Sequence, residues 1–308
     1  MQALLFADLL LGVGLGHLSR SEALKAELET LGFKATLLDS ALLDSTLKNS
    51  QSYDFIAIDS YILPLDSYLL ASKRAKICLY FDDTLRLPYP KGILLNNAPS
   101  VDILAYQRTY PNHILFLGDS YTLIRSAFRF QTTPPLNPTL KNCLITLGGE
   151  DILHLNSPLI QALSHSFPAL KLHCIAKDSR NLPKCVAIYP QLSAQEMAQC
   201  IRSMDICICA CGQSLRETLS CGIPTIALEI ASNQNANLKS FQACTLNLPK
   251  AYLLHTKEIC QKVVDFVGYY ENLTMRKSHQ MLASKLLNHK NAWKESLMAL
   301  FTYHSSKI

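Results

Sequence analysis

The 308-residue sequence is 49% hydrophobic and 17% charged with a mean hydropathy of +0.12, which excludes a disordered chain and leaves enough length for two domains with separate cores. Its 29 Lys and Arg against 24 Asp and Glu give a formal charge of +5, suited to a small anionic ligand and short of the basic stripe of a nucleic-acid binder. Eleven cysteines, an odd number with no C-x-x-C, lie mostly inside apolar runs and read as reduced core thiols of a cytoplasmic protein.

The opening stretch LLFADLLLGVGLGHLSRSEAL, residues 4–24, begins like an export signal. It has no basic leader, carries Asp8 inside the apolar run and lacks a small-residue cleavage site, so it is expected to be a strand and a turn. No other segment reaches transmembrane length, and no membrane partner is expected. ALLFAD reads as the first strand. GHLSRSEALKAELETLGF reads as a helix with Leu24, Leu28 and Leu31 on one face and Gly32 as its C-terminal cap. KATLLD, YDFIAID, AKICLYF and GILLNN follow as strands of the same half.

Residues 130–142, FQTTPPLNPTLKN, hold Pro134, Pro135 and Pro138 and no hydrophobic period, the signature of a linker. A second series follows with KNCLITLGG, KLHCIA and CVAIYP, then the helix SAQEMAQCIRSM with Ser193 and Glu196 in capping-box spacing. DICICACGQSLRETLSCGIPTIAL is a strand, a loop, a helix ending at Gly222 and a strand opening at Pro224. Such alternation predicts an α/β protein of two Rossmann-like domains facing a cleft: residues 1–133 and 139–308, joined by a linker at 131–142. The stretch 256–308 is helical in pattern, includes Trp293, the single tryptophan, and could pack against either half.

The glycines at 12, 14 and 16 form G-x-G-x-G and not the dinucleotide fingerprint G-x-G-x-x-G, and Asp39 alone supports a dehydrogenase only weakly. His17 stands at a helix start, on the sheet edge where α/β proteins bind ligands. A helix N-terminus disfavours imidazolium, which leaves a neutral ring able to take a proton from water. The plainer alternative is a helix cap. Arg20, one turn on, could meet a phosphate, orient the histidine or simply lie in solvent. Cys207, Cys209 and Cys211 share one face of a strand without a matching histidine, which favours core packing over a metal site. Asp82 and Asp83 are adjacent and not in D-x-D spacing, so no divalent ion is expected.

GxGHxxR at 14–20, FDD at 81–83, LLN at 94–96, LGDSYTLIRSAF at 117–128, LGGEDI at 147–152, GQSLRETLSCGIPTIAL at 212–228 and NQ at 233–234 occur in that order. Together, over residues 1–245, they resemble the PseG family, UDP-sugar hydrolases of pseudaminic acid biosynthesis, the route to flagellin glycosylation. The resemblance implies the glycosyltransferase-B fold shared with MurG-type enzymes. It also implies hydrolysis of UDP-2,4-diacetamido-2,4,6-trideoxy-β-L-altropyranose to UDP and free sugar, in a monomer without cofactor.

By the same resemblance His17 is the catalytic base. Asp8, Gly14, Gly16, Arg20, Asn96, Tyr121 and Arg125 belong to the sugar side, with Tyr121 and Arg125 alternatively fastening the hinge and Asp8 orienting His17. Gly148, Gly149, Ser214, Glu217, Asn233 and Gln234 take the UDP, the glycines and the helix N-terminus at its phosphates and Glu217 at the ribose diol. The chain departs from the family at Phe6, where an arginine is usual, at Leu9 to Leu11, and at His154, where an asparagine is expected, with Asn156 close by. A MurG-like glycosyltransferase and a non-catalytic nucleotide-sugar binding protein are the alternatives.

Overall fold

The computed structural model describes residues 1–9, 16–48, 52–98, 100–130, 132–148, 151–176, 182, 186–190, 192–287 and 292–305. The chain forms two compact units, Met1–Arg125 with His289–Ile308, and Ser126–Asn288.

The first unit runs β1 (Gln2–Ala7), α1 (Gly16–Thr30), β2 (Lys34–Asp39), α2 (Leu43–Lys48), β3 (Tyr53–Asp59), α3 (Leu65–Ser72), β4 (Ala75–Phe81), β5 (Ile93–Asn96), α4 (Ile103–Thr109) and β6 (Ile114–Leu117). All pairings are parallel, in the order β2-β1-β3-β4-β5-β6. Strand alternation divides the buried side chains between two faces. Phe55 and Ala57 pack with Leu24 and Leu28 of α1, while Ile56 and Ile58 pack with Leu43 and Leu47 of α2 and Tyr68 of α3. Helices on both faces of a parallel sheet explain why its strands are continuous apolar runs.

The second unit contains β7 (Asn142–Thr146), α5 (Asn156–Ser166), β8 (Lys171–Ile175), β9 (Ala187–Tyr189), α6 (Ala194–Arg202), β10 (Ile206–Ala210), α7 (Gln213–Ser220), β11 (Thr225–Leu228), α8 (Asn235–Phe241), β12 (Thr245–Leu248), α9 (Thr256–Tyr270) and α10 (Leu273–Leu287). Its sheet is also parallel, in the order β12-β11-β10-β7-β8-β9. Counted within the unit this is 3-2-1-4-5-6, the Rossmann order. The expected capping box is formed: Ser193 Oγ accepts from Glu196 N at 3.3 Å and Glu196 Oε2 from Ser193 N at 2.8 Å.

Two boundaries differ from the sequence reading. The proline-rich segment is tied down onto the second unit. Arg276 donates to the carbonyls of Asn137 and Pro138, each at 2.9 Å, Gln280 donates to Pro134 O, and Asn137 Nδ2 donates to Asp205 Oδ1; of the expected linker 131–142, residue 131 lies outside the described residues. The last helix, α11 (Trp293–Ser305), returns to the first unit. Trp293 is fully buried there, edge-on to Phe116 at 5.5 Å and to Tyr121 at 5.7 Å, because the α1 face of the first sheet offers an aromatic seat. No helix among the described residues is long and apolar enough to cross a membrane.

Candidate functional site

In each sheet the strand order reverses once, between β1 and β3 in the first and between β7 and β10 in the second. The carboxyl ends beside such a reversal are where open α/β sheets hold ligands. His17, in the first turn of α1, stands at the first of these points.

Its Nδ1 lies 2.5 Å from Oδ1 of Asp59, the last residue of β3. A carboxylate only accepts, so Nδ1 carries the hydrogen and Nε2 is left as the basic nitrogen. Both residues are buried, His17 to 7% and Asp59 to 1% exposure. The helix start offered by the sequence is thus joined by a carboxylate that touches the ring. Asp59 was not singled out by sequence reasoning, because a strand-final aspartate carries no mark of its partner.

Arg20 grips the same carboxylate with two bonds, Nε to Oδ2 at 2.5 Å and Nη2 to Oδ1 at 2.6 Å. Its Nη1 donates to Asp83 Oδ2 at 2.8 Å, and the guanidinium lies over the Phe81 ring at 4.9 Å. The Tyr61 hydroxyl also donates to Asp83 Oδ2, and the Tyr61 ring meets the imidazole edge-on at 4.6 Å. Burial pushes the Asp83 carboxyl up, but the charge of Arg20 and the hydrogen bonds from Tyr61 and Arg20 outweigh it and hold the group below the usual carboxylate range. Burial works against the Arg20 charge too, and Asp59 and Asp83 overcome it, so the guanidinium titrates well above its ordinary value. Arg20, for which a phosphate contact, orientation of the histidine or a place in solvent is expected from the sequence, is bonded to the acid that touches the histidine. Burial also raises the Tyr61 phenol, next to the charge of Asp83.

Asp8 does not touch His17. Its buried carboxylate accepts from Ser40 Oγ at 2.6 Å and from Tyr61 N at 2.8 Å, tying together the segments after β1, β2 and β3. Gly16 opens α1, and a Cβ there would meet no atom within 4 Å; Gly14 lies outside the described residues. Asn96 is buried with both ends of its amide in use, Nδ2 to the Tyr106 hydroxyl and Oδ1 from Ala98 N, each at 3.0 Å. Tyr121 stacks on Phe116 at 4.4 Å and bonds Ser296 of α11 at 3.2 Å, and Arg125 reaches Glu22 of α1 at 3.4 Å. These contacts of all three lie within the first unit.

The second unit gathers its candidates at the carboxyl ends of the adjacent strands β7, β10 and β11. Gly148 follows β7 with φ +96, a left-handed conformation that favours glycine, and has open space where a Cβ would point. Gly149 lies outside the described residues. Ser214 is half-buried in the first turn of α7, and Glu217 is buried one turn further on. Asn233 is exposed in a single 3-10 turn after β11, whereas Gln234 uses Oε1 to accept from Ile230 N at 3.0 Å and so braces its own loop. His154 takes φ +53 in the segment leading to α5.

Cys207, Cys209 and Cys211 are fully buried, and burial pushes the Cys209 thiol up to about 12. They are core residues. The Asp82 carboxylate accepts from Arg86 N at 3.1 Å, Thr84 N at 3.3 Å and the Tyr110 hydroxyl at 3.3 Å. Among the described residues no group of three or more His, Cys, Asp or Glu is arranged to hold a metal ion.

Solved structures share this architecture. MurG of Acinetobacter baumannii superposes with a TM-score of 0.59 at 14% identity, covering 98% of this chain and 99% of its own. The spinosyn forosaminyltransferase SpnP gives 0.64 at 10% identity, with 98% and 99% covered. The fold is that of the glycosyltransferase-B enzymes. A further glycosyltransferase-B structure, the spinosyn rhamnosyltransferase SpnG complexed with thymidine diphosphate, gives 0.61 at 14% identity, with 97% and 100% covered. No protein-family model matches the sequence. Over 248 residues the chain is 28% identical to a Helicobacter pylori protein described as a pseudaminic acid cytidylyltransferase and UDP-2,4-diacetamido-2,4,6-trideoxy-β-L-altropyranose hydrolase. The match covers 79% of this chain and 47% of the relative, so the chain spans about half the length of that protein.

Proposed function

We propose that this chain is a nucleotide-sugar hydrolase that releases UDP from UDP-2,4-diacetamido-2,4,6-trideoxy-β-L-altropyranose. The observation that carries the proposal is the His17–Asp59 pair at the first sheet's reversal point, a base with its hydrogen-bearing nitrogen fixed by a buried acid. In this reading Nε2 of His17 takes a proton from water. The water oxygen forms a bond to the anomeric carbon, and the bond from that carbon to the β-phosphate oxygen breaks with its electron pair staying on UDP, which inverts the anomeric centre. Asp59 keeps the ring in the reactive tautomer and stabilises the imidazolium as it forms, the logic of a catalytic triad's acid.

The second unit is assigned the leaving group. Backbone N–H groups after β7 at Gly148 and the N-terminus of α7 at Ser214 stabilise diphosphate charge, and Glu217 accepts from the ribose diol. The 28% identity to the H. pylori protein supports this substrate. A transferase reading draws support from the glycosyltransferases that share the fold; there a sugar hydroxyl replaces water and the base is unchanged.

Incubating the protein with the UDP-linked sugar, with and without candidate acceptors, and following UDP and the anomeric signal by NMR separates the two. Hydrolysis gives equimolar UDP and free inverted sugar without any acceptor. UDP release only in the presence of an acceptor, with a glycoside as product, would replace the hydrolase by a transferase.

A further inference from the structure

Asp83 takes no part in the reaction as proposed, yet it is bonded to both neighbours of the base. Its Oδ2 accepts from Arg20 and from Tyr61, Arg20 grips Asp59, Asp59 holds His17, and the Tyr61 ring rests against His17. Three segments, α1, the end of β3 with the turn after it and the turn after β4, close into one ring of five residues.

The charges facing His17 come from every element packed there. Asp8 follows β1, Arg20 and the positive end of α1 lie alongside, Asp59 and Tyr61 end and follow β3, and Asp82, Asp83 and Arg86 follow β4. Asp8 is met by Ser40 and a backbone N–H, and Asp82 by backbone N–H groups and a phenol. Arg86 points its guanidinium at the Ser60 and Leu63 carbonyls and the Tyr68 hydroxyl, so it neutralises neither Asp59 nor Asp83. One guanidinium, Arg20, therefore serves two carboxylates. The missing countercharge is the one His17 acquires when it takes a proton.

We infer that Asp83 is a positioning residue for His17: anchored by Tyr61, it pins Arg20 onto Asp59, and its charge favours the protonated imidazole. Its catalytic consequence rests on the proposed hydrolase; its effect on His17 does not. If the Arg20–Asp83 contact merely fastened the loop after β4 to α1, removing it would lower stability and leave the titration of His17 where it was.

The test uses Asp83→Asn, which keeps shape and polarity, with Asp83→Glu and Tyr61→Phe beside it. In the ligand-free protein, NMR titration of the His17 imidazole should show the midpoint falling by about one pH unit in Asp83→Asn, partly restored in Asp83→Glu and falling less in Tyr61→Phe. With the UDP-linked sugar, kcat of Asp83→Asn should fall about tenfold with KM within about twofold, and the acid limb of its pH profile should move the same way. A His17 titration identical to the parent's in Asp83→Asn overturns the inference; should that variant not fold, an unchanged titration in Tyr61→Phe overturns it as well. Failure of the parent to act on the sugar would remove the hydrolase reading, while the titration would still decide the role of Asp83.

Discussion

Replacing Asp59 by asparagine preserves the outline of the side chain and removes its charge. Asp59 accepts from His17 Nδ1 at 2.5 Å, from Arg20 Nε at 2.5 Å and Nη2 at 2.6 Å, and from Ser21 Oγ at 3.4 Å. An asparagine has one acceptor oxygen and an NH2 that must face one of these partners. If the oxygen stays with Arg20, the NH2 donates to Nδ1, and the ring hydrogen moves to Nε2, the nitrogen needed as the base. The same change in a catalytic triad costs roughly 10⁴ in kcat, and we expect a loss of about 10³ to 10⁴, equivalent to about 4 to 5.5 kcal/mol of transition-state stabilisation.

Folding should suffer less. Charge-assisted hydrogen bonds contribute about 1.5–3 kcal/mol each, but the cost of burying the Asp59 charge is relieved at the same time and Arg20 keeps Asp83, so a net loss of about 2–4 kcal/mol is expected. The assay pairs initial rates of UDP release with urea unfolding for the parent, Asp59→Asn, His17→Ala and the double variant. Residues that act as one unit are strongly non-additive, so the double variant should be about as slow as the worse single one. A folded Asp59→Asn with the parent rate, or a double variant whose losses multiply, would refute the pairing.

His17→Ala should lose turnover by a few orders of magnitude while UDP affinity, measured by calorimetry, stays within about threefold, since the nucleotide is assigned to the other unit. Trp293→Ala should destabilise the protein by about 3–5 kcal/mol in urea melts, because a fully buried indole between Phe116 and Tyr121 leaves a large cavity. Asp83, held below its ordinary range behind Arg20, contributes stability that is present above the unfolded carboxylate value and is lost as pH falls through the lower folded value. The difference in urea midpoint between the parent and Asp83→Asn should accordingly be full near pH 7 and shrink below about pH 4.

The buried parallel strands were legible because an apolar run between helices has few other destinations: YDFIAID and AKICLYF match β3 and β4 residue for residue, and the six-residue KATLLD matches the edge strand β2. ILFL and TLNL, the edge strands β6 and β12, are four residues long and partly exposed, and so give no comparable signal. The docking of α11 was not legible either. An amphipathic helix states that it has an apolar face and not which sheet will receive it, and the choice depends on Phe116 and Tyr121, more than 170 residues earlier.

The site shows the same limit at the scale of single residues. Three adjacent strands of the first sheet run into an aspartate in the same local pattern, LFAD, TLLD and IAID, giving Asp8, Asp39 and Asp59. Asp39 caps the turn that follows it by accepting from Ala41 N at 2.9 Å. Asp8 laces three segments together, and Asp59 alone meets the histidine. What separates them is strand order: Ala7 stands level with Asp39 on one side and with Asp59 on the other, and the first turn of α1 brings His17 to the Asp59 side. A strand-end carboxylate therefore acquires its chemistry from the neighbour the sheet gives it. Replacing the acids one at a time tests that directly: Asp39→Asn should keep the parent rate of UDP release, because its carboxylate caps a turn and is not bonded to the His17 ring, whereas Asp59→Asn loses it.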